Sequence, residues 1–179
     1  SDSQRSELTR HLEEKGATVF YGQTADNIKP GIDVVVYTAA IHPDNAEFAA
    51  ARSAGIPMLT RAELLGEIMR NYKTAIAVAG THGKTTTTSM ISMILLEAQA
   101  DPTISVGGIL PEIGGNIRVG RSDLFLTEAC EYTNSFLSFF PKIGIILNMD
   151  ADHLDFFKDI DDIRHSFREF ARLLPADGM

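Results

Sequence analysis

The run Gly80-Thr81-His82-Gly83-Lys84-Thr85-Thr86 sets a lysine and two hydroxyls directly after a glycine-containing turn, a combination suited to cradling a nucleotide phosphate. Gly80 and Gly83 let the backbone turn sharply and aim N–H groups at phosphate oxygens. Lys84 brings a full positive charge for the β- and γ-phosphates, and the Thr85 hydroxyl can ligate a magnesium ion that bridges them. Val78 stands where the usual G-x-x-x-x-G-K-[ST] pattern has its first glycine, so the loop is a variant. Alone, it predicts a nucleotide-binding protein, a class shared by ATPases, GTPases, kinases and ligases. The alternative is a plain strand-to-helix turn with an exposed lysine beside it.

Glu128 closes the apolar run LFLTE, and His153 follows the run IGIILN. Both are therefore expected at strand carboxyl ends, where ligands meet open α/β sheets. A carboxylate suits Mg2+, whereas an imidazole is more at home with Mn2+. Asp150, Asp152 and Asp155 crowd the same string, NMDADHLD. A solvated carboxylate and a packed or surface histidine are the competing readings. Cys130 invites a nucleophile role, but no residue near it in sequence would lower its pKa, and small buried cysteines are common.

These residues need a sheet to position them. Short β-rich runs alternate with amphipathic helical runs throughout, which predicts an α/β fold with parallel sheets. Leu8 and Leu12 share a helical face ahead of Gly16. ATVFYG (17–22) reads as a strand, and DVVVYT (33–38) as a strand of the fully buried type. A helix from about Asp44 to Ala54 follows, and Thr60-x-x-Glu63 has the spacing of a capping box for another. Asn71-Tyr72-Lys73 is the expected hinge, dividing the chain into 1–73 and 74–179. After it, TAIAVAG leads into the phosphate loop and TTTTSMISMILLEA leaves it as a helix. LFLTEA and IGIILN supply buried strands, and Ile160, Ile163, Phe167, Phe170 and Leu174 form one helical face.

A formal net charge of −8 argues against nucleic-acid and membrane-surface partners, which attract clustered Lys and Arg. The opening residues are too polar for a signal peptide, and no apolar run approaches the roughly 20 residues of a spanning helix. With a single cysteine, this composition points to the cytoplasm. The lack of an initiating Met and a stop soon after a helix lead us to expect an internal piece of a longer protein.

GTHGKTTTT (80–88), EACEYTNSFL (128–137) and ILNMDADHLDFF (146–157), in that order, resemble the Mur ligases. TAAIHPDNAEFAAARSAGIPMLTRAELL (38–65) resembles their first domain, so the likeness covers essentially the whole chain. His82 stands where relatives adding later amino acids carry Asn. It points to the branch that adds L-alanine or to the branch that joins a recovered peptide, and ILNMDADHLD favours the former. The resemblance implies a Rossmann-like UDP-sugar domain over 1–73, lacking its first strand, and the first part of a P-loop-type ATP-binding domain over 74–179.

It further implies Lys84 on the ATP phosphates within the loop Gly80–Thr86, Thr85 and Glu128 on one metal ion, and Glu128 with His153 on a second. Asn116, in GGNIRVG, would line the site between ATP and the muramate substrate. Thr38, His42 and Asn45 would fall on the UDP-sugar side, although Asn45 is equally placed to cap a helix. Two departures are visible: EACE where the family often reads EADE, and Asn45-Ala46-Glu47 where it often has Asn-Pro-Glu. The implied activity is ATP-dependent joining of L-alanine to UDP-N-acetylmuramate through an acyl phosphate, with the piece alone inactive. A peptide-joining ligase and a non-catalytic nucleotide or UDP-sugar binding module are the alternatives.

Overall fold

The computed structural model describes Ser1–Met179. Two compact units, Ser1–Arg61 and Ala62–Met179, divide the chain ahead of the hinge expected at residues 71–73. No helix is long and apolar enough to cross a membrane.

In the first unit, α1 (Glu7–Glu14) starts where it does because Ser6 and Thr9 cap each other reciprocally. The Ser6 hydroxyl accepts the Thr9 N–H at 3.2 Å and the Thr9 hydroxyl accepts the Ser6 N–H at 2.9 Å. β1 (Val35–Tyr37) pairs in parallel with β2 (Met58–Thr60), and α2 (Ala46–Ser53) lies between them in sequence. The Tyr37 ring meets Phe48 of α2 edge to face at 5.1 Å.

Two expectations change in this unit. Residues 17–22 form no strand but a single parallel bridge between Tyr21 and Asp2. The reason is local: the Asp2 carboxylate accepts the Gln4 N–H, turning the would-be partner strand away after one residue. The β1 segment is not fully buried, since Val34 and Val36 remain 43% and 40% exposed. The helix carrying Leu8 and Leu12 forms ahead of Gly16 as expected; both leucines are exposed on it, and Thr9 is the buried residue of α1.

The second unit holds α3 (Arg61–Met69, from its second residue), β3 (Thr74–Ala79), α4 (Lys84–Glu97), β4 (Thr103–Leu110), β5 (Gly115–Arg118), β6 (Leu124–Ala129), β7 (Ile143–Ile146) and α5 (Ile160–Arg172). Its sheet has the order β5-β4-β6-β3-β7, parallel except for the antiparallel edge strand β5. Period-two alternation along β3 serves two cores. Ala75, Ala77 and Ala79 face Phe136, Phe139, Phe157, Ile163, Phe167 and Phe170, the small side chains leaving room for rings. Ile76 and Val78 face the other way, with Leu126 and with Ile91 and Leu95 of α4.

Packing also explains why α3 belongs to this unit. Met69 is fully buried in the aromatic core, with Ala62 and Leu65 packed against it. Gly66 runs so close to the turn at Ser138 that a Cβ there would lie 2.0 Å from the Ser138 carbonyl oxygen. The β4–β5 hairpin escapes sequence pattern because Gly107-Gly108 inside β4 reads as a strand breaker. Gly107 instead marks a close approach by a side chain from a neighbouring strand.

Candidate phosphate-binding site

β3 lies between β6 and β7 with Ala79 in register with both Ala129 and Ile146, so three loops begin side by side at one sheet edge. Glycine at the N-cap of α4 offers no side-chain acceptor to the helix, and the first intrahelical bond runs from Thr87 N–H to the Gly83 carbonyl. The preceding N–H groups of Lys84, Thr85 and Thr86 are thus outside the helical ladder, at the positive end of a 14-residue helix. Gly83 (φ 83°) and Gly80 (φ 145°) take backbone conformations that disfavour other residues, and a Cβ on Gly80 would lie 3.0 Å from Leu147 Cβ.

The loop is stitched to the segment after β7. Thr81 N–H donates to the Asn148 carbonyl (3.3 Å), and the Asn148 side chain brackets one residue, accepting from His82 N–H (2.8 Å) and donating to the His82 carbonyl (3.0 Å). Asp150 N–H donates to the buried Thr81 hydroxyl at 3.0 Å. The His82 imidazole is exposed, with Nε2 3.8 Å from an Asp150 carboxylate oxygen.

Lys84 points back into the loop. Its Nζ donates to the carbonyls of Gly80 (2.5 Å) and Thr81 (3.2 Å) and to both oxygens of Glu131 (3.2 and 2.9 Å). Glu131 is 1% exposed, so this is a desolvated ion pair. Glu128 is held separately: Gly107 N–H donates to Oε1 at 2.6 Å and the Thr85 hydroxyl to Oε2 at 3.0 Å.

His153 (φ 52°) lies with Nε2 3.9 Å from Glu131 Oε1. Its ring is 4.7 Å from that of Tyr132, whose hydroxyl donates to Asp155 at 2.8 Å. That bond and the Asp155 charge raise the Tyr132 pKa. Asp152 accepts the His153 N–H. Of the three aspartates of this string, Asp152 tethers the backbone, Asp155 holds Tyr132 and Asp150 faces the His82 imidazole.

Thr85 and Glu128 are brought together, while Lys84 and His153 both meet Glu131. Thr86 is exposed on the first turn of α4, and Asn116 is exposed on the edge strand β5. Thr38 and His42 are exposed in the loop after β1 of the first unit. Asn45 caps α2, accepting from Glu47 and Phe48 N–H, and also donates to Gln23. Cys130 is exposed rather than buried, and its thiol pKa is pushed up, first by partial loss of hydration and then by repulsion from Glu131 and Glu128, which opposes a nucleophile role. Sequence reasoning missed Glu131, Asn148 and Gly107. The second glutamate of EACE and the strand-end Asn148 were the available signals.

No three His, Cys, Asp or Glu side chains converge to hold a metal by themselves. The adjoining oxygens of Thr85 and Glu128 do fit Mg2+, a hard cation that takes one or two carboxylates and completes its shell with phosphate and water.

The Mur ligase family, catalytic domain, matches residues 1–73, and the Mur ligase middle domain matches residues 78–179. A UDP-N-acetylmuramate–L-alanine ligase of Agathobacter rectalis is 71% identical over 99% of this chain, and one of Lachnospira eligens is 68% identical over the same share. The chain spans 39% of the length of each. Among solved structures, a UDP-N-acetylmuramate–alanine ligase of Thermotoga maritima is similar at 32% identity and TM-score 0.84, covering 96% of this chain and 40% of that one. A UDP-N-acetylmuramate:L-alanyl-γ-D-glutamyl-meso-diaminopimelate ligase from Neisseria meningitides matches at 26% identity and TM-score 0.89, covering 99% and 60%. With the middle-domain match spanning more than half of its residues, and a phosphate loop, a strand-end glutamate and a fold all in keeping, the chain belongs to the Mur ligase family.

Proposed function

We propose that residues 74–179 carry the ATP-phosphate and metal centre, and residues 1–73 part of the UDP-sugar domain, of an ATP-dependent ligase that joins L-alanine to UDP-N-acetylmuramate. The observation that carries this is the Lys84 ammonium at the uncapped start of α4, beside the paired Thr85 and Glu128. The high identity to L-alanine-adding relatives supports the choice of substrate.

In this reaction the muramate carboxylate attacks the γ-phosphate to give an acyl phosphate and ADP, and the alanine amine then displaces phosphate to form the amide. Two anions must meet, and unit charges about 4 Å apart repel by about 4 kcal/mol at an effective dielectric constant of about 20. The backbone N–H groups of Lys84, Thr85 and Thr86 oppose that repulsion at fixed positions, and the Lys84 ammonium adds a full positive charge. Only the part of this attraction that grows toward the transition state raises the rate. Thr85 and Glu128 would hold Mg2+, which supplies further positive charge to the phosphates when bound. Mn2+ would serve the imidazole of His153 better, and that residue and Asn116 are assigned to the reaction on the family likeness. Thr38, His42 and Asn45 are assigned to the UDP-sugar side on the same basis. The cytoplasm, where ATP is available, is the compartment this activity requires.

In the full-length protein, Lys84→Ala should abolish alanine-dependent phosphate release while keeping a folded circular dichroism spectrum, with a lowered Tm because buried Glu131 loses its partner. Near-normal turnover would remove Lys84 from the mechanism. A second reading, a murein peptide ligase, is favoured by the likeness to the Neisseria enzyme. Competition between L-alanine and a tripeptide for the full-length protein separates the two.

A further inference from the structure

Glu131 has no part in the reaction above, yet it is the buried partner of the residue central to it. A lysine ammonium has three N–H donors. Those of Lys84 are taken by two loop carbonyls and the Glu131 carboxylate, with side-chain exposures of 16% for Lys84 and 2% for Glu131. A phosphate oxygen can therefore gain Lys84 only by displacing an existing partner.

We propose that Glu131 is a positioning residue that competes with the nucleotide for Lys84. It holds the ammonium inside the loop when no phosphate is present and releases it when one arrives. Three observations carry this. The geometry uses both carboxylate oxygens, so the lysine chain is fixed rather than free to sample solvent. Burial of Glu131 makes an unpaired carboxylate costly, so Lys84 is strongly retained. Finally, a second nitrogen, His153 Nε2, stands 3.9 Å from Oε1, so the carboxylate keeps a polar neighbour after Lys84 turns away. Glu131 is itself anchored: its carbonyl accepts the Asn134 N–H, and the Cys130 carbonyl accepts the Phe136 N–H from the aromatic core. The competing carboxylate is thus tied through its backbone to the turn after β6, while the lysine moves.

This rests on the nucleotide-binding reading of the loop, and the test keeps the two apart. Mg–ADP binding to the full-length protein is measured by calorimetry for the wild type and for Glu131→Gln, which preserves shape and removes charge. We expect the variant to bind Mg–ADP about tenfold more tightly, because phosphate no longer competes with a carboxylate, and to turn over more slowly, because Lys84 is less well aimed. A residue needed only for folding would lower the bound fraction without tightening the affinity of the folded fraction. Unchanged or weaker affinity in the variant overturns the competition. No binding by the wild type overturns the nucleotide reading itself. Should the variant fail to fold, a crystal structure of the wild type with Mg–ADP decides. Lys84 Nζ about 3 Å from a phosphate oxygen and out of contact with Glu131 supports the proposal, and an intact Lys84–Glu131 pair beside bound ADP sinks it.

Discussion

Gly107→Ala tests whether the strand-end carboxylate must be held where it is. A Cβ at this position would lie 2.7 Å from Glu128 Oε2 and 3.2 Å from both Cδ and Oε1, closer than such atoms approach without movement. The obstacle is the far end of a flexible side chain, and the backbone at Gly107 does not need a positive φ, so the fold can absorb the methyl group by shifting Glu128. The shift disturbs the two hydrogen bonds Glu128 receives, from Gly107 N–H and from the Thr85 hydroxyl. A hydrogen bond to a charged acceptor contributes about 1.5–3 kcal/mol, with the low end fitting this solvent-open edge. Displacing the carboxylate should therefore cost about 1.5 kcal/mol of transition-state stabilisation, roughly tenfold in kcat/KM. The assay is ATP-dependent phosphate release by the full-length protein with L-alanine, alongside a thermal melt. Gly115→Ala is the control, since a Cβ there meets nothing within 4 Å. A Gly107→Ala protein with wild-type Tm and kcat/KM within about twofold would refute the claim that this approach fixes Glu128.

Asn148→Ala removes both bonds to the His82 backbone and should raise the KM for ATP about tenfold, measured by initial rates, with a smaller effect on kcat. Gly66→Ala drives a Cβ into the Ser138 carbonyl, where backbone must move, and should destabilise the protein by at least about 2 kcal/mol in urea unfolding. The Asp101 carboxyl is held below its ordinary range by the Arg118 hydrogen bond and then by the Arg121 N–H. Its folded pKa is the lower one, so its contribution is present above the unfolded carboxylate pKa and disappears as pH falls through the depressed value. Asp101→Asn should accordingly flatten the acid limb of a Tm-against-pH curve and leave its alkaline limb unchanged.

The phosphate loop was legible because its residues carry their own local instructions: an apolar strand, glycines at the turn and a long helical run. Glu128 could be placed at a strand end for the same reason, whereas His153 lies beyond the end of β7 at Ile146, in a loop that brings it to Glu131. Other features depend on contacts between distant residues. Glu131 differs from any solvated glutamate only through the ammonium 47 positions away in sequence. Gly107 resembles a strand breaker until Glu128 is seen against it. The helix over residues 61–69 joins the second unit because Met69 fits the aromatic core, which periodicity does not reveal. Residues 17–22 have strand composition, but a ladder needs a partner longer than Asp2 provides.

The strand order has a consequence for how the protein is made. β3 finds its partners only in residues 124–129 and 143–146. A ribosome adding roughly 5–20 residues per second therefore leaves TAIAVA unpaired for several seconds. Such an apolar segment, free of charge and proline, is prone to join its own copies on neighbouring nascent chains. Helix α4 emerges next and can shield the face of Ile76 and Val78, but the alanine face must wait for the phenylalanines that follow β6. The Gly80–Thr86 loop hangs from the end of this strand, so it takes its shape only after β6 and β7 have been made.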